Sequence, residues 1–141
     1  MKTLFVIAVV VAAAIGCSDS SGPKQVVMAE AGTYTLTAVN GEPLPAIVLQ
    51  TDQLTGEIVS GSIVIRSDST FTETREARIT SGGVVSPTNG TTNGTFSISA
   101  GTATFRVPGS TPITYTGTFS SGTLTATVQG TVLKYVRGGT A

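Results

Sequence analysis

Between Gly94 and Arg137, apolar residues alternate one for one with threonine or serine over several runs. Gly94-Thr95-Phe96-Ser97-Ile98 breaks at Ser99-Ala100-Gly101 and resumes as Thr102-Ala103-Thr104-Phe105-Arg106-Val107. The pattern returns as Gly117-Thr118-Phe119, breaks at Ser120-Ser121-Gly122, and continues as Thr123-Leu124-Thr125-Ala126-Thr127-Val128. A period of two with glycine-bearing breaks marks half-buried antiparallel strands joined as hairpins. Val107-Pro108-Gly109-Ser110 and Val128-Gln129-Gly130-Thr131 supply further turns. Val132 to Arg137 forms the last strand, with Leu133, Tyr135 and Arg137 on one face.

The upstream half follows the same rule. Gly32 to Val39 is the first strand, with Tyr34, Leu36 and Ala38 on one face and threonines on the other. Asn40-Gly41 is a turn, and Pro43 and Pro45 stop the chain from continuing in the same ladder. Ala46 to Leu49 is a short strand, and Thr51 to Glu57 a polar hairpin tip. Glu57 to Arg66 is extended, with Ile63 and Ile65 sharing a face, and Ser67-Asp68-Ser69 turns. Thr70 to Thr80 is a long strand whose parity sends Phe71, Ala77 and Ile79 inward, and Glu73 and Arg75 with them. An unpaired buried charge is costly, which leaves two arrangements. Either the two satisfy each other inside a pocket, or a bulge or rim position returns both to water, the commoner solution. Ser81 to Asn93, rich in Gly, Ser, Thr and Asn, reads as a loop, either a lid or a long hairpin connection.

These elements amount to an all-β chain of about eight strands in sequential hairpins. An open meander would expose two unpaired edges with few charges to guard them, so the expected fold is an antiparallel up-and-down barrel. A two-sheet β-sandwich is the alternative. About eight strands enclose an interior that side chains fill, or that holds one small ligand. The inward set mixes the large Phe71, Phe96, Phe105, Tyr115 and Phe119 with the small Ala38, Ala77, Ala103, Gly117 and Ala126, which leaves room for a cavity.

Composition narrows the chemistry. The formal charge is +0 and only 11% of residues are charged, so no basic patch offers itself to a nucleic acid. Solubility must come from Thr and Ser hydroxyls, and Thr also favours strands. With no His in the chain, Ser-His and Cys-His nucleophile pairs cannot be built. The single Cys cannot form an internal disulfide. Asp52, Glu57, Asp68, Glu73 and Glu76 show no calcium-loop spacing. No catalytic residue, metal site or cofactor is expected.

The N-terminus carries an address. Met1-Lys2 precedes a continuous apolar run from Leu4 to Ala14, and Ala14-Ile15-Gly16-Cys17 resembles the lipobox of a bacterial lipoprotein signal peptide. The apolar run is short for a membrane span, and a buried core helix is the remaining alternative. The resemblance implies a cleaved leader over 1–16, a diacylglycerol on Cys17, a flexible linker over 17–31 and a barrel domain over 32–141. Ser18 after the cysteine implies, by similarity to enterobacterial sorting, the outer membrane of a cell envelope.

Gly32-Thr33-Tyr34, the segment Val39-Asn40-Gly41-Glu42-Pro43-Leu44-Pro45 and the closing Tyr135-Val136-Arg137 look like small lipocalin-like bacterial lipoproteins. Lipocalins open with Gly-x-Trp and carry a late Arg that packs on that ring to close the barrel base. The resemblance places Tyr34 in the role of the Trp and Arg137 in that of the Arg, a contact worth about 0.5–2 kcal/mol. The bland alternative is an ordinary core tyrosine and an exposed terminal charge. The expected function is a membrane-anchored lipoprotein that binds or carries a small apolar ligand. Its pocket would be drawn from Tyr34, Phe71, Glu73, Arg75, Phe96, Phe105, Tyr115 and Phe119. The alternative is a solid-core structural or protein-interaction lipoprotein, with a partner the sequence does not name.

Overall fold

Among the described residues, five two-residue turns are of one kind: Asn40-Gly41, Gly82-Gly83, Ala100-Gly101, Ser121-Gly122 and Gln129-Gly130 all have positive φ at both positions. This is the geometry whose twist matches that of the flanking strands in tight hairpins, and glycine at the second position lowers its cost. The computed structural model describes residues 29–138. The strands are β1 (Gly32–Val39), β2 (Glu42–Pro43), β3 (Ala46–Gln50), β4 (Leu54–Ile65) and β5 (Thr70–Ser81). They continue as β6 (Val84–Ser99), β7 (Thr102–Val107), β8 (Ile113–Ser120), β9 (Thr123–Val128) and β10 (Thr131–Arg137).

From β4 to β10 each strand pairs antiparallel with the next. β1 closes the circle, pairing with β10 through Tyr34 opposite Arg137 and with β4 through Gly32 opposite Ile65. The result is a closed antiparallel barrel of eight strands with β2 and β3 added to it, not a sandwich. Beyond Thr35 the β1–β4 seam splits. There β1 takes β2 as its neighbour, while the first half of β4 takes β3, with Ala46 opposite Ile58.

The turns at Ala100-Gly101 and Ser121-Gly122 lie at one end of the barrel, the base. Asn40-Gly41, Gln129-Gly130 and the connection from β7 to β8 lie at the other, the mouth. Outward positions such as Thr35, Thr37, Thr104, Thr116, Thr118 and Lys134 are exposed, so hydroxyls and a charge coat the outer wall. Inside, the lower barrel holds a cluster of buried aromatic and aliphatic side chains. Phe105 stacks on Tyr115 at 4.9 Å between ring centroids, and Phe71 meets Phe105 edge-on at 5.2 Å. Gly94 is required here, because a Cβ would run into the Arg106 carbonyl and the Phe71 ring.

Several expectations need correction. Leu54–Glu57, expected in a hairpin tip, begins β4. A bulge between Leu36 and Ala38 shifts the β1 register, so Val39 (1% exposed) takes the inward place expected of Ala38, which is only partly buried. Ser81–Asn93 is not a loop: β5 pairs residue for residue with β6, from Thr70 opposite Thr95 to Ser81 opposite Val84. Gly82-Gly83 alone makes the turn. Pro87 is tolerated because β6 pairs with β7 only from Thr95 onward, leaving its earlier half an edge. The long β5–β6 hairpin, with β3 and the start of β4, therefore rises above the short β7–β10 wall as a flap.

Candidate functional site

A cavity of about 370 Å³ opens at the mouth, between the β5–β6 wall and the upper ends of β7, β8 and β9. Ala77, Val107, Ile113 and Val128 give it apolar walls, and Thr88, Gly90 and Thr92 of β6 face it from one side. Glu73, Arg75 and Tyr115 complete the lining. Each β5 and β6 residue reaches the cavity through the strand period, since Glu73, Arg75 and Ala77 are successive inward positions of β5, as Thr88, Gly90 and Thr92 are of β6.

Glu73 is only 6% exposed, and among the described residues it is the one charged side chain classed as buried. Its Oε1 accepts hydrogen bonds from the Arg75 guanidinium and from the Tyr135 hydroxyl. A bulge that returns both groups to water is thereby excluded: the register irregularity falls between Ile58 and Ser60 of β4 and leaves the parity of β5 intact, while Arg75, at the open mouth, keeps about a third of its side chain exposed. The pair stays inside because the carboxylate has two donors, the condition under which a buried charge is tolerated. Arg75 Nε, also buried, has no hydrogen-bond partner.

The electrostatics follow from this packing. Burial pushes the Tyr135 phenol far above the ordinary tyrosine range, and the adjacent Glu73 charge pushes it further. Tyr115 is raised by the same two causes in the same order. Desolvation lowers Arg75, but the Glu73 carboxylate outweighs it and holds the guanidinium protonated above its usual value. Both phenols are neutral donors, and the ion pair carries no net charge.

Of the expected pocket residues, Glu73, Arg75 and Tyr115 line the cavity. Phe71, Phe96 and Phe105 instead pack against one another below it, and Tyr34 and Phe119 face each other across 5.7 Å. They fill the core because large rings on neighbouring strands leave no gap between them. Thr88, Gly90 and Thr92 were missed because their segment resembles a loop. The signal was present, since stepping back by twos from the inward Phe96 and Gly94 reaches all three. Val107 and Val128 were missed because each ends a strand, where a turn was the stronger reading.

At the base, the Arg137 guanidinium carbon lies 5.2 Å from the centre of the Tyr34 ring. Arg137 also donates to the carbonyls of Ala29 (2.9 Å) and Ala31 (2.5 Å), and the Tyr34 hydroxyl donates to the Glu30 carbonyl (2.8 Å). Ala29–Ala31, read from sequence as the end of the linker, thus sit against the barrel base. Burial raises the Tyr34 phenol, with Arg137 opposing and Glu30 reinforcing the shift. Cys17, the leader over 1–16 and the linker before Ala29 lie outside the described residues. Compared with known proteins, the chain matches no family model, no curated protein and no solved structure.

Proposed function

We propose that the chain is a lipid-anchored lipoprotein of the cell envelope, at its outer membrane, whose lipocalin-like barrel binds or carries a small apolar ligand. One observation carries the ligand: a cavity of about 370 Å³ with apolar walls, open at the mouth above a packed lower barrel. That volume falls within the roughly 300–1,000 Å³ of small-molecule sites. The anchor rests on Ala14-Ile15-Gly16-Cys17 after the apolar run. The lipocalin-like reading draws support from Arg137 lying over Tyr34.

Native mass spectrometry of the full chain extracted from envelope membranes tests both halves. The expected spectrum has a chain beginning at an acylated Cys17, with an additional mass that leaves on denaturation. An unmodified Cys17 would overturn the anchor. A bare barrel that gains no mass from lipid extract would overturn the ligand. A second reading, a protein-interaction lipoprotein, is favoured by the flap, where β3 and the first half of β6 are edges and Val84 is 66% exposed. Crosslinking in envelope extracts that yields only the monomer would count against it.

A further inference from the structure

The cavity has a polar floor beneath apolar walls, and the Arg75 guanidinium in that floor has donors that Glu73 does not use. Glu73 and Tyr135 are engaged with each other, and Arg75 is engaged with Glu73 through its terminal nitrogen. Arg75 Nε is buried with no partner. About a third of the Arg75 side chain stays exposed in the wall of the cavity, so a ligand oxygen can accept from the guanidinium there. The charge on Arg75 is already matched by Glu73, so an incoming carboxylate would meet a second carboxylate in a poorly screened site. A neutral acceptor meets no such repulsion.

Above this floor the inner face of the flap carries an apolar strip on β5, beside Thr88 and Ser86 of β6. Ala77 and then Ile79 follow Arg75 on the same face of β5, with Gly56 opposite Ile79 and Leu49 opposite Gly56. Ile79 is 40% exposed and Leu49 47%, an apolar strip that no part of the barrel covers. At about 3.3 Å per residue, Arg75 to Ile79 spans roughly 13 Å. We infer that the ligand is an uncharged amphiphile, such as an ester, whose carbonyl oxygen accepts from the Arg75 guanidinium while its hydrocarbon chain runs outward along Ala77, Ile79 and Leu49. This rests on the proposal that the cavity binds a ligand.

The test uses the full chain held in a fluorinated surfactant, which mixes poorly with hydrocarbon, with Nile red as reporter. Decane, methyl decanoate and decanoate compete for the dye. In the unaltered protein, methyl decanoate should displace it about tenfold or more better than either of the others. In Glu73→Gln, which keeps an acceptor for Tyr135 and Arg75, decanoate should become the strongest competitor, because Arg75 is left uncompensated. A purely structural role for Glu73 would not reorder the series. The double variant Glu73→Gln with Arg75→Met should erase the ester's advantage while decane still competes. Dye uptake with no preference among the three overturns the inference alone. No dye uptake, or displacement by none of them, overturns the ligand reading itself.

Discussion

The chain's three tyrosines, Tyr34, Tyr115 and Tyr135, are all buried, and burial is the largest cause raising each phenol. The consequence has a definite sign. As pH rises through about 10, the unfolded chain gives up phenolic protons that the folded chain keeps. The stability these groups contribute is therefore complete below that pH and is lost as pH climbs towards the folded values. In an alkaline titration, tyrosinate absorbance for Tyr115 and Tyr135 should appear together with loss of the β-sheet circular dichroism. Ionisation of both with the dichroism intact would contradict this. Some of the chemistry at this scale was legible in the sequence: strict alternation from Phe71 places Glu73 and Arg75 inside. Tyr135 as the second donor to Glu73 was not, because it lies 62 residues away and only barrel closure brings the two together.

The flap shows where local composition misleads. Ser81–Asn93 has the residues of a loop, yet it forms most of the free half of β6 because β5 supplies a complete ladder for it. Strand preference is set largely by neighbouring strands, and here the neighbour decides. The hairpin depends on Gly83, whose φ of 80° is hostile to a β-branched residue. Replacing Gly83 with Val should speed amide hydrogen exchange from Thr80 to Val85 while β7 to β10 keep their protection. Equal loss across every strand would mean that the flap and barrel open as one unit. By contrast, Gly32–Val39 has the same bounds in sequence and structure, since it alternates from Thr33 to Ala38 and Asn40-Gly41 ends it.

At the scale of the whole molecule, the barrel has a tied base and an open mouth. Arg137 ties the base, through the Tyr34 ring and through the carbonyls of Ala29 and Ala31. Arg137→Ala should destabilise the protein by about 1–3 kcal/mol in urea denaturation, with faster exchange at the Ala31 and Gly32 amides. An unchanged midpoint would mean that the strand ladder alone holds the base. Closure was foreseeable from the shortage of charges to guard sheet edges. The split seam of β1 and β4 was not, because nothing in the sequence of β4 marks Ser62 as the residue where its partner changes from β1.

Ala29 at the base and the cavity at the mouth give the molecule two poles, with the chain entering at one and the opening at the other. In the proposed anchored form, attachment upstream of Ala29 would then hold the protein by its closed end. Attachment and opening would lie at opposite ends of the barrel. A ligand of the proposed kind would then enter and leave through the end that carries no attachment.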